Sequence, residues 1–291
     1  MGEIVSIAVI AIFLIAELPN DLIWRVTLGL GAVPAAIIFV LRYNLPETAI
    51  WLIRRGRFVE AKQVTMQMYN DPLDFLPNED VQMPVPRPGA FLADIRRDPI
   101  RWRATLFGWI ACFAQSCEFS TFAFYIPVLF VMVGVSSILG TNLVTLCLYI
   151  VAGISGWVGP QITPRIGQRG LSIAGFGIVL VSLLVAAAAL YTGHVYILPF
   201  AAAAMLWGHY WDAENVMTIP SMVARPEYRG TASGFAYVFV KLPSFLSIFL
   251  FPVLFSAIGQ ANATLFTAIF PLIGLLAAIF ILPEVYGFEQ D

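Results

Sequence analysis

Residues 171–191 read LSIAGFGIVLVSLLVAAAALY, a run of 21 residues without a charged side chain. A helix of about 20 apolar residues is long enough to cross the hydrocarbon core of a bilayer. Seven further apolar runs lie at about 2–18, 25–43, 104–133, 139–159, 195–220, 233–256 and 262–282. None of them alternates apolar and polar residues with the period of two that is typical of a barrel strand. The sequence therefore predicts an all-α polytopic membrane protein with eight spans.

The composition of the 291 residues favours the same class. Hydrophobic residues make up 59% of the chain and charged residues 12%, and the mean hydropathy is +0.83. A soluble domain has about twice that share of charged residues, so too few polar side chains are present to cover a water-facing surface. The 16 basic and 18 acidic residues form no basic field, which excludes a nucleic-acid partner.

The sequence contains no motif that indicates an enzyme or a cofactor site. No phosphate-binding loop, metal-ligand cluster or nucleophile elbow is present. The three cysteines, Cys112, Cys117 and Cys147, have no disulfide or metal spacing and lie in apolar runs, where we expect small core residues. We expect a protein that is not an enzyme and that needs neither a cofactor nor a metal.

Basic residues are concentrated in the connections on one side of the predicted spans. Ten of the sixteen lie between Arg42 and Arg103, whereas the opposite connections contain only Arg25. Because cytoplasmic connections are rich in Lys and Arg, we expect both chain ends and residues 46–102 to be cytoplasmic in a multi-pass protein of the plasma membrane. Four more basic residues lie in the other connections on that side: Arg165, Arg169, Arg225 and Arg229.

A polar stretch rich in Pro and Asp divides the chain. We expect residues 1–45 to form two helices of one bundle, residues 46–102 a linker loop, and residues 103–291 a six-helix bundle. The tripeptide Leu-Pro-Glu ends both the second span, at Pro46, and the last span, at Pro283. Such a repeat suggests a transporter, in which related bundles rock around a central site. A helix-ending proline followed by a charge explains the match equally well.

Several segments resemble motifs of the major facilitator superfamily, in its sugar-porter and phosphate-symporter branch. Residues 45–52 (LPETAIWL), with the GR at 56–57 and the EA at 60–61, are similar to the signature PESPRWL…GR…EA after the sixth helix. Residues 225–234 (RPEYRGTASG) are similar to the loop PTRYRGTAxG between helices ten and eleven. The resemblance implies the major facilitator fold, with the eight spans corresponding to helices 5–12 and the first four helices missing. The chain is then either a fragment or the product of a misplaced gene start.

The resemblance also assigns gating residues, with departures from the family pattern. Residues 164–169 (PRIGQR) stand where the family has DRxGRR, and the acidic member of that motif is absent. The acidic position of the tenth-helix PxE motif is occupied by Met222. The gating residues implied by the two loops are Arg165, Gly167, Arg169, Arg225 and Arg229.

Ionisable side chains at membrane depth are costly and mark solute or proton pathways. Glu118 lies in the middle of the third span, and at about 100° per residue it shares a helix face with Gln115 and Tyr125. Gln115 and Tyr125 also match the seventh-helix pattern QxxGxNxxxYYxP of sugar porters. A carboxyl group among apolar side chains can take up and release a proton, which suits proton coupling. A structural hydrogen bond between helices is the alternative for Glu118.

The run WGHYWDAEN at residues 207–215 is more polar and aromatic than any other span. His209, Asp212 and Asn215 are spaced by three and share a face, whereas Glu214 points about 200° away from Asp212. Aromatic rings can stack on a sugar, and carboxylates can accept hydrogen bonds from its hydroxyl groups. His209 can relay a proton near neutral pH. Contact with interfacial water is the alternative explanation for these polar groups.

Lys241 lies about ten residues inside its span, which places it roughly 15 Å from the membrane edge. At that depth a lysine needs a carboxylate partner or an anionic solute. The resemblance to phosphate symporters includes Asn215, Pro220 and Lys241, but Thr121 replaces the aspartate of their seventh helix. Lys241 would therefore hold an anionic group or lock one gate.

We expect a secondary active transporter that moves a small polar solute (a sugar, phosphate or organic anion) together with protons by alternating access. The alternative is a truncated, non-transporting remnant or a half-transporter that needs a partner chain. The partners are the solute, protons and the lipid bilayer, with the missing N-terminal helices as a further partner in a full-length chain. The substrate-binding candidates are Gln115, Tyr125, Trp211, Asn215 and Lys241. The proton-coupling candidates are Glu118, His209, Asp212 and Glu214.

Overall fold

The structure is a computed structural model that describes residues 2–43, 45–82, 88–135 and 137–288. The side chains of residues 88, 122–125, 127–129 and 132 lie outside this description. The described residues form α-helices and no strand. The helices are α1 (Gly2–Ile15), α2 (Asn20–Tyr43), α3 (Ala49–Arg54), α4 (Phe58–Tyr69), α5 (Pro88–Ile95), α6 (Pro99–Met132), α7 (Ile138–Thr192), α8 (Leu198–Val223), α9 (Arg229–Ile258), α10 (Gln260–Thr267) and α11 (Ile269–Phe280).

Every predicted span falls on helix in the described part of the chain. Four stretches there are long and apolar enough to cross a membrane by length and composition: Asn20–Tyr43, Ile138–Thr192, Pro226–Ile258 and Gln260–Phe280. Helices α6 and α8 cover two further predicted spans, and they carry the buried charged residues described below. The count of eight crossings stays a prediction.

Helix α7 contains two predicted spans that follow each other across a sharp turn. Gly167 lies at φ 75° and ψ 170° within its 55 residues, so the helical backbone is interrupted there. A positive φ is readily adopted by glycine, which has no Cβ to clash with the backbone. Pro160 and Pro164 precede the turn. The segment predicted to be a connecting loop, residues 164–169, is therefore a tight turn between two helices.

The chain divides into two compact units. One consists of Pro19–Ala90, and the other of Met1–Leu18 together with Phe91–Asp291. In the first unit α3 and α4 enclose a small core of Leu52, Ala61 and Val64. Helix α1 belongs to the second unit, where it packs against α7. The predicted division at 1–45, 46–102 and 103–291 stays a prediction.

In the second unit α8 packs against α6, α7 and α9. A Cβ atom at Gly175 of α7 would lie 2.7 Å from the backbone N of Asp212 and 2.9 Å from the carbonyl O of Gly208. The two helix backbones therefore touch at this point, as small residues allow in membrane bundles. This close approach positions the segment of α8 that carries the site.

The cysteines differ in their surroundings. Cys112 and Cys117 are buried, as predicted. Cys147 is exposed, so the prediction of a core position is wrong for this residue. It lies on an apolar face of α7 with the exposed side chains of Leu143, Ile150 and Ile154, at the spacing of one helix face. An apolar residue in a membrane helix can face lipid as readily as core.

Candidate functional site

A buried polar cluster joins α6 to α8. The Nδ1 atom of His209 lies 3.4 Å from Oε1 of Glu118 and 4.0 Å from Oδ1 of Asp212. The ligand atoms of all three side chains lie within 4.8 Å of one another. Glu118 and Asp212 are 0% exposed and His209 is 4% exposed. Two carboxyl groups and an imidazole thus share one water-excluded position, where they could hold a proton or a small cation between them.

The imidazole ring is held from two further sides. Nε2 of Gln115 lies 3.1 Å from Nε2 of His209. The ring of Phe119 stacks on the imidazole with centroids 4.2 Å apart and planes at 11°. If the amide N–H of Gln115 donates to Nε2, then the proton of a neutral His209 is on Nδ1, which faces the carboxyl groups. Gln115 and Phe119 therefore orient the proton-carrying nitrogen toward Glu118 and Asp212.

The carboxyl groups of this cluster are short of hydrogen bonds. Oε2 of Glu118 and both oxygens of Asp212 have no well-formed hydrogen-bond partner among the described residues. Buried polar atoms are normally paired, because an unpaired one loses its hydration without compensation. These three carboxyl oxygens can therefore accept further hydrogen bonds, from a bound proton or from a ligand.

Side-chain hydrogen bonds to neighbouring helices hold α6 in register beside the cluster. The Sγ–H of Cys112 donates to the carbonyl O of Val216 at 3.3 Å. That carbonyl lies four residues before Pro220, which has no N–H to bond it. Ser116 donates to the carbonyl O of Val240 in α9 at 2.7 Å. Such polar contacts are a common means of joining membrane helices.

Three other candidates on α8 face α7 instead of the cluster. Asn215 is buried, and its Nδ2 donates to the carbonyl O of Gln168 at 2.7 Å and to Oγ of Ser172 at 2.9 Å. Nε1 of Trp211 donates to the carbonyl O of Ser155 at 3.2 Å. The carboxylate of Glu214 lies over the backbone of α7, against Gly159. The structure thus separates these three side chains from Glu118, although the shared face of Asn215 with Asp212 predicted one group.

The remaining substrate-binding candidates are Lys241 and Tyr125. Lys241 is exposed on α9 and has no ion-pair partner within the described residues. Tyr125 lies in α6, but its side chain is outside the described part of the structure. Of the two partners predicted for Lys241, a carboxylate or an anionic solute, a carboxylate is not found among the described residues.

The turn at Gly167 is closed by a residue that the sequence analysis did not assign to the site. The carboxylate of Glu284 accepts hydrogen bonds from the backbone N–H groups of Gln168 at 2.9 Å and Arg169 at 3.3 Å. A carboxylate at the first turn of a helix satisfies free N–H groups and interacts favourably with the helix dipole. The acidic side chain missing from residues 164–169 is thus supplied by the end of the chain. The repeated Leu-Pro-Glu was the signal that could have identified it.

Basic side chains close the same end of the helices. The guanidinium of Arg169 donates to the carbonyl O of Ile279 at 2.6 Å, next to the end of α11. Arg225 pairs with Asp94 of α5 at 3.0 Å, and Asp94 is 7% exposed. The other gating candidates, Arg165 and Arg229, are exposed.

A family model described as "Sugar (and other) transporter" matches residues 1–289. The chain belongs to this family. The match confirms the resemblance to the sugar-porter branch, and the relatives compared are transporters rather than enzymes. As a member of this family the chain is a multi-pass membrane protein.

Two curated relatives match nearly the whole chain. The probable metabolite transport protein CsbC of Bacillus subtilis is 24% identical over 99% of the chain and 65% of the relative. The glucose transporter GlcP of Staphylococcus epidermidis is 25% identical over 97% of the chain and 65% of the relative. The chain therefore spans about two thirds of these relatives.

Solved structures confirm the fold. The xylose transporter XylE from E. coli, in a partially occluded inward-open conformation, matches 99% of the chain with a TM-score of 0.68 at 17% identity. The chain covers 62% of that structure. The predicted fold class, an all-α membrane protein with the major facilitator fold, is thereby confirmed.

Proposed function

We propose that the chain acts in a secondary active transporter that moves a monosaccharide or polyol together with protons. The observation that carries the proposal is the fully buried cluster of Glu118, His209 and Asp212 in a chain of the sugar transporter family. Buried ionisable groups at membrane depth are expensive and are retained where a solute or proton passes.

The cluster is suited to binding a proton that is shared between Glu118 and Asp212. The bound proton would provide a donor for carboxyl oxygens that have no well-formed partner among the described residues. It would also remove the repulsion between two negative charges held within 4.8 Å in a medium of low dielectric constant. His209 lies between the two carboxyl groups, where it can pass the proton on. Glu214, on the other face of α8, is a further proton-coupling candidate.

The solute class follows from the side chains around the cluster and from the relatives. Gln115 is half-buried beside His209, and an amide can donate to and accept from sugar hydroxyls. Tyr125 of α6, and Trp211 and Asn215 on the face of α8 toward α7, are further candidates for contact with the solute. XylE is described as a proton:xylose symporter, and GlcP as a glucose transporter. A neutral, polyhydroxylated solute is therefore the best-supported substrate class.

The membrane arrangement completes the proposal. Residues 1–45 would be helices of one bundle, residues 46–102 a cytoplasmic linker, and residues 103–291 the second bundle, in the plasma membrane with both ends cytoplasmic. Alternating access would be controlled at the turn around Gly167. The gating contacts would involve Arg165, Arg169, Arg225 and Arg229. Lys241 would lock a gate or hold an anionic group.

Uptake into proteoliposomes tests the proposal. Radiolabelled xylose, glucose and myo-inositol would be offered in turn, with an inside-alkaline pH gradient that an ionophore can collapse. The wild-type protein is expected to accumulate one of them, and Glu118→Gln and Asp212→Asn are expected to lower accumulation at least tenfold. Asp74→Asn, which changes an exposed carboxylate in a loop, is the control.

Two outcomes would overturn the proposal. Accumulation that survives collapse of the gradient, or that is unchanged in Glu118→Gln, excludes proton coupling through the cluster. Absence of uptake by the wild-type chain, with uptake restored by a co-expressed partner chain, favours the half-transporter. The observation that favours the half-transporter is that the chain spans only 65% of CsbC.

A further inference from the structure

A second polar contact lies outside the buried cluster and joins α1 to α8. The hydroxyl of Tyr210 donates to Oε2 of Glu3 at 2.5 Å, between residues 207 positions apart in the chain. An O–H donor and an ionised carboxylate form short bonds of about 2.5–2.7 Å, which are roughly twice as strong as bonds between neutral groups. Glu3 and Tyr210 both lie in segments predicted to cross the membrane, where a carboxylate needs such a donor.

The two polar contacts of α8 use different faces of the helix. At about 100° per residue, His209 and Asp212 lie about 60° apart, and Tyr210 and Glu214 about 40° apart. The first pair faces Glu118 of α6, and the second pair faces α7 and α1. Glu214 therefore lies on the same face of α8 as Tyr210, and its neighbour is Gly159 of α7.

Glycines in α7 make room for this contact. A Cβ atom at Gly153 would lie 3.0 Å from Cδ1 of Ile4, and one at Gly156 would lie 3.3 Å from Cδ1 of Tyr210. Ile4, next to Glu3, and Tyr210 thus lie against glycines of α7. Helix α1 therefore packs against α7 and reaches α8 through the Glu3–Tyr210 hydrogen bond.

We propose that the Glu3–Tyr210 hydrogen bond breaks and re-forms during transport, as α1 separates from the later helices and returns to them. Glu3 is then a positioning residue for transport. The inference rests on the proposed function, in which α1 belongs to one bundle and α7 and α8 to the other. Bundles that rock against each other must break the contacts between them.

The contact is also connected to the proton site. The rings of Tyr210 and His209 meet edge to face, with centroids 5.6 Å apart and planes at 84°. A shift of the Tyr210 ring on opening therefore moves a direct neighbour of the His209 imidazole. Opening of the bundles and proton exchange at Glu118 are thereby linked through two adjacent side chains.

Reversible cross-linking tests the opening. Ile4→Cys and Gly153→Cys would be combined in a chain in which Cys112, Cys117 and Cys147 are replaced by alanine, and a disulfide formed with an oxidant. The disulfide is expected to lower sugar uptake at least fivefold, and a reductant is expected to restore it. Full uptake by the cross-linked protein would show that α1 and α7 stay together throughout the cycle and would overturn the proposal.

A second measurement does not depend on transport. Tyr210→Phe removes only the hydroxyl, and it is expected to lower the cross-linking yield between positions 4 and 153 at least threefold. Tyr237→Phe, at an exposed tyrosine of α9, is the matched control. An unchanged yield in Tyr210→Phe would overturn the role of the hydrogen bond. If the wild-type chain shows no uptake, the proposed function fails, and the cross-linking yield still decides whether Glu3 and Tyr210 hold α1 in place.

Discussion

The carboxylate of Glu284 accepts a hydrogen bond from the backbone N–H of Gln168 at 2.9 Å, across 116 residues of chain. It accepts a second from the N–H of Arg169, and its remaining bonds come from the N–H groups of Val285 and Tyr286. One side chain thus caps the second half of α7 and orders the chain after α11. In the family motif an acidic residue lies within the loop itself, whereas this chain has Pro164 there.

Replacement of Glu284 by alanine is expected to destabilise the protein by about 1–2 kcal/mol, the usual cost of removing a helix cap. Glu284→Gln keeps an acceptor and is expected to cost less, because only the interaction of the charge with the helix dipole is lost. Thermal unfolding of the purified protein in detergent measures both effects. Glu227→Ala, at another exposed glutamate, is the control. Equal midpoints for Glu284→Ala and Glu227→Ala would contradict the capping role.

Gly175→Ala is expected to destabilise the bundle by about 1–3 kcal/mol, because the added methyl group would meet the backbone of α8 rather than a movable side chain. The same substitution at Gly177 is the matched control, since a Cβ atom there has no neighbour within 4 Å in the described structure. Gly177→Ala is expected to be neutral or slightly stabilising, because alanine favours the helix more than glycine does. The midpoint of thermal unfolding distinguishes them, and equal midpoints would refute the close approach.

Asp94→Asn is expected to loosen α5, because the nearly buried carboxylate of Asp94 pairs with Arg225 at 3.0 Å. With Arg225 partly exposed, the expected loss is about 1 kcal/mol, or roughly fivefold faster local opening. Hydrogen–deuterium exchange over residues 88–95 measures it. Asp21→Asn breaks an exposed pair with Arg25 and is expected to cost less than about 0.5 kcal/mol. Unaltered exchange in Asp94→Asn would show that this ion pair does not hold α5.

Lys241→Gln separates the two solute classes. For a neutral sugar, the KM is expected to stay within threefold of the wild-type value, because Lys241 makes no ion pair in the described residues and an uncharged solute gains little from it. For phosphate or an organic anion, the KM would rise at least tenfold. Uptake kinetics with both kinds of solute decide between them, and a tenfold rise for the sugar would place Lys241 in the sugar site.

Much of the candidate site could be predicted from the spacing of polar residues along single helices. The spacing of His209 and Asp212 places both on one face, and both are buried with Glu118. The same spacing wrongly suggested that Asn215 would join them, since a spacing of three drifts by about 60° per step around a helix. After two steps the side chain faces α7, where it bonds Ser172.

By itself the sequence determined the helical class, the segments that form helices and the family, because apolar length and motif are properties of local segments. Which polar groups meet was decided only by tertiary structure. Glu118 and His209 are 91 residues apart, and Glu3 and Tyr210 are 207 residues apart. Their contacts depend on how each helix is rotated and how closely backbones approach, as at Gly175. Those quantities are set by packing between helices, and the pattern of one helix does not contain them.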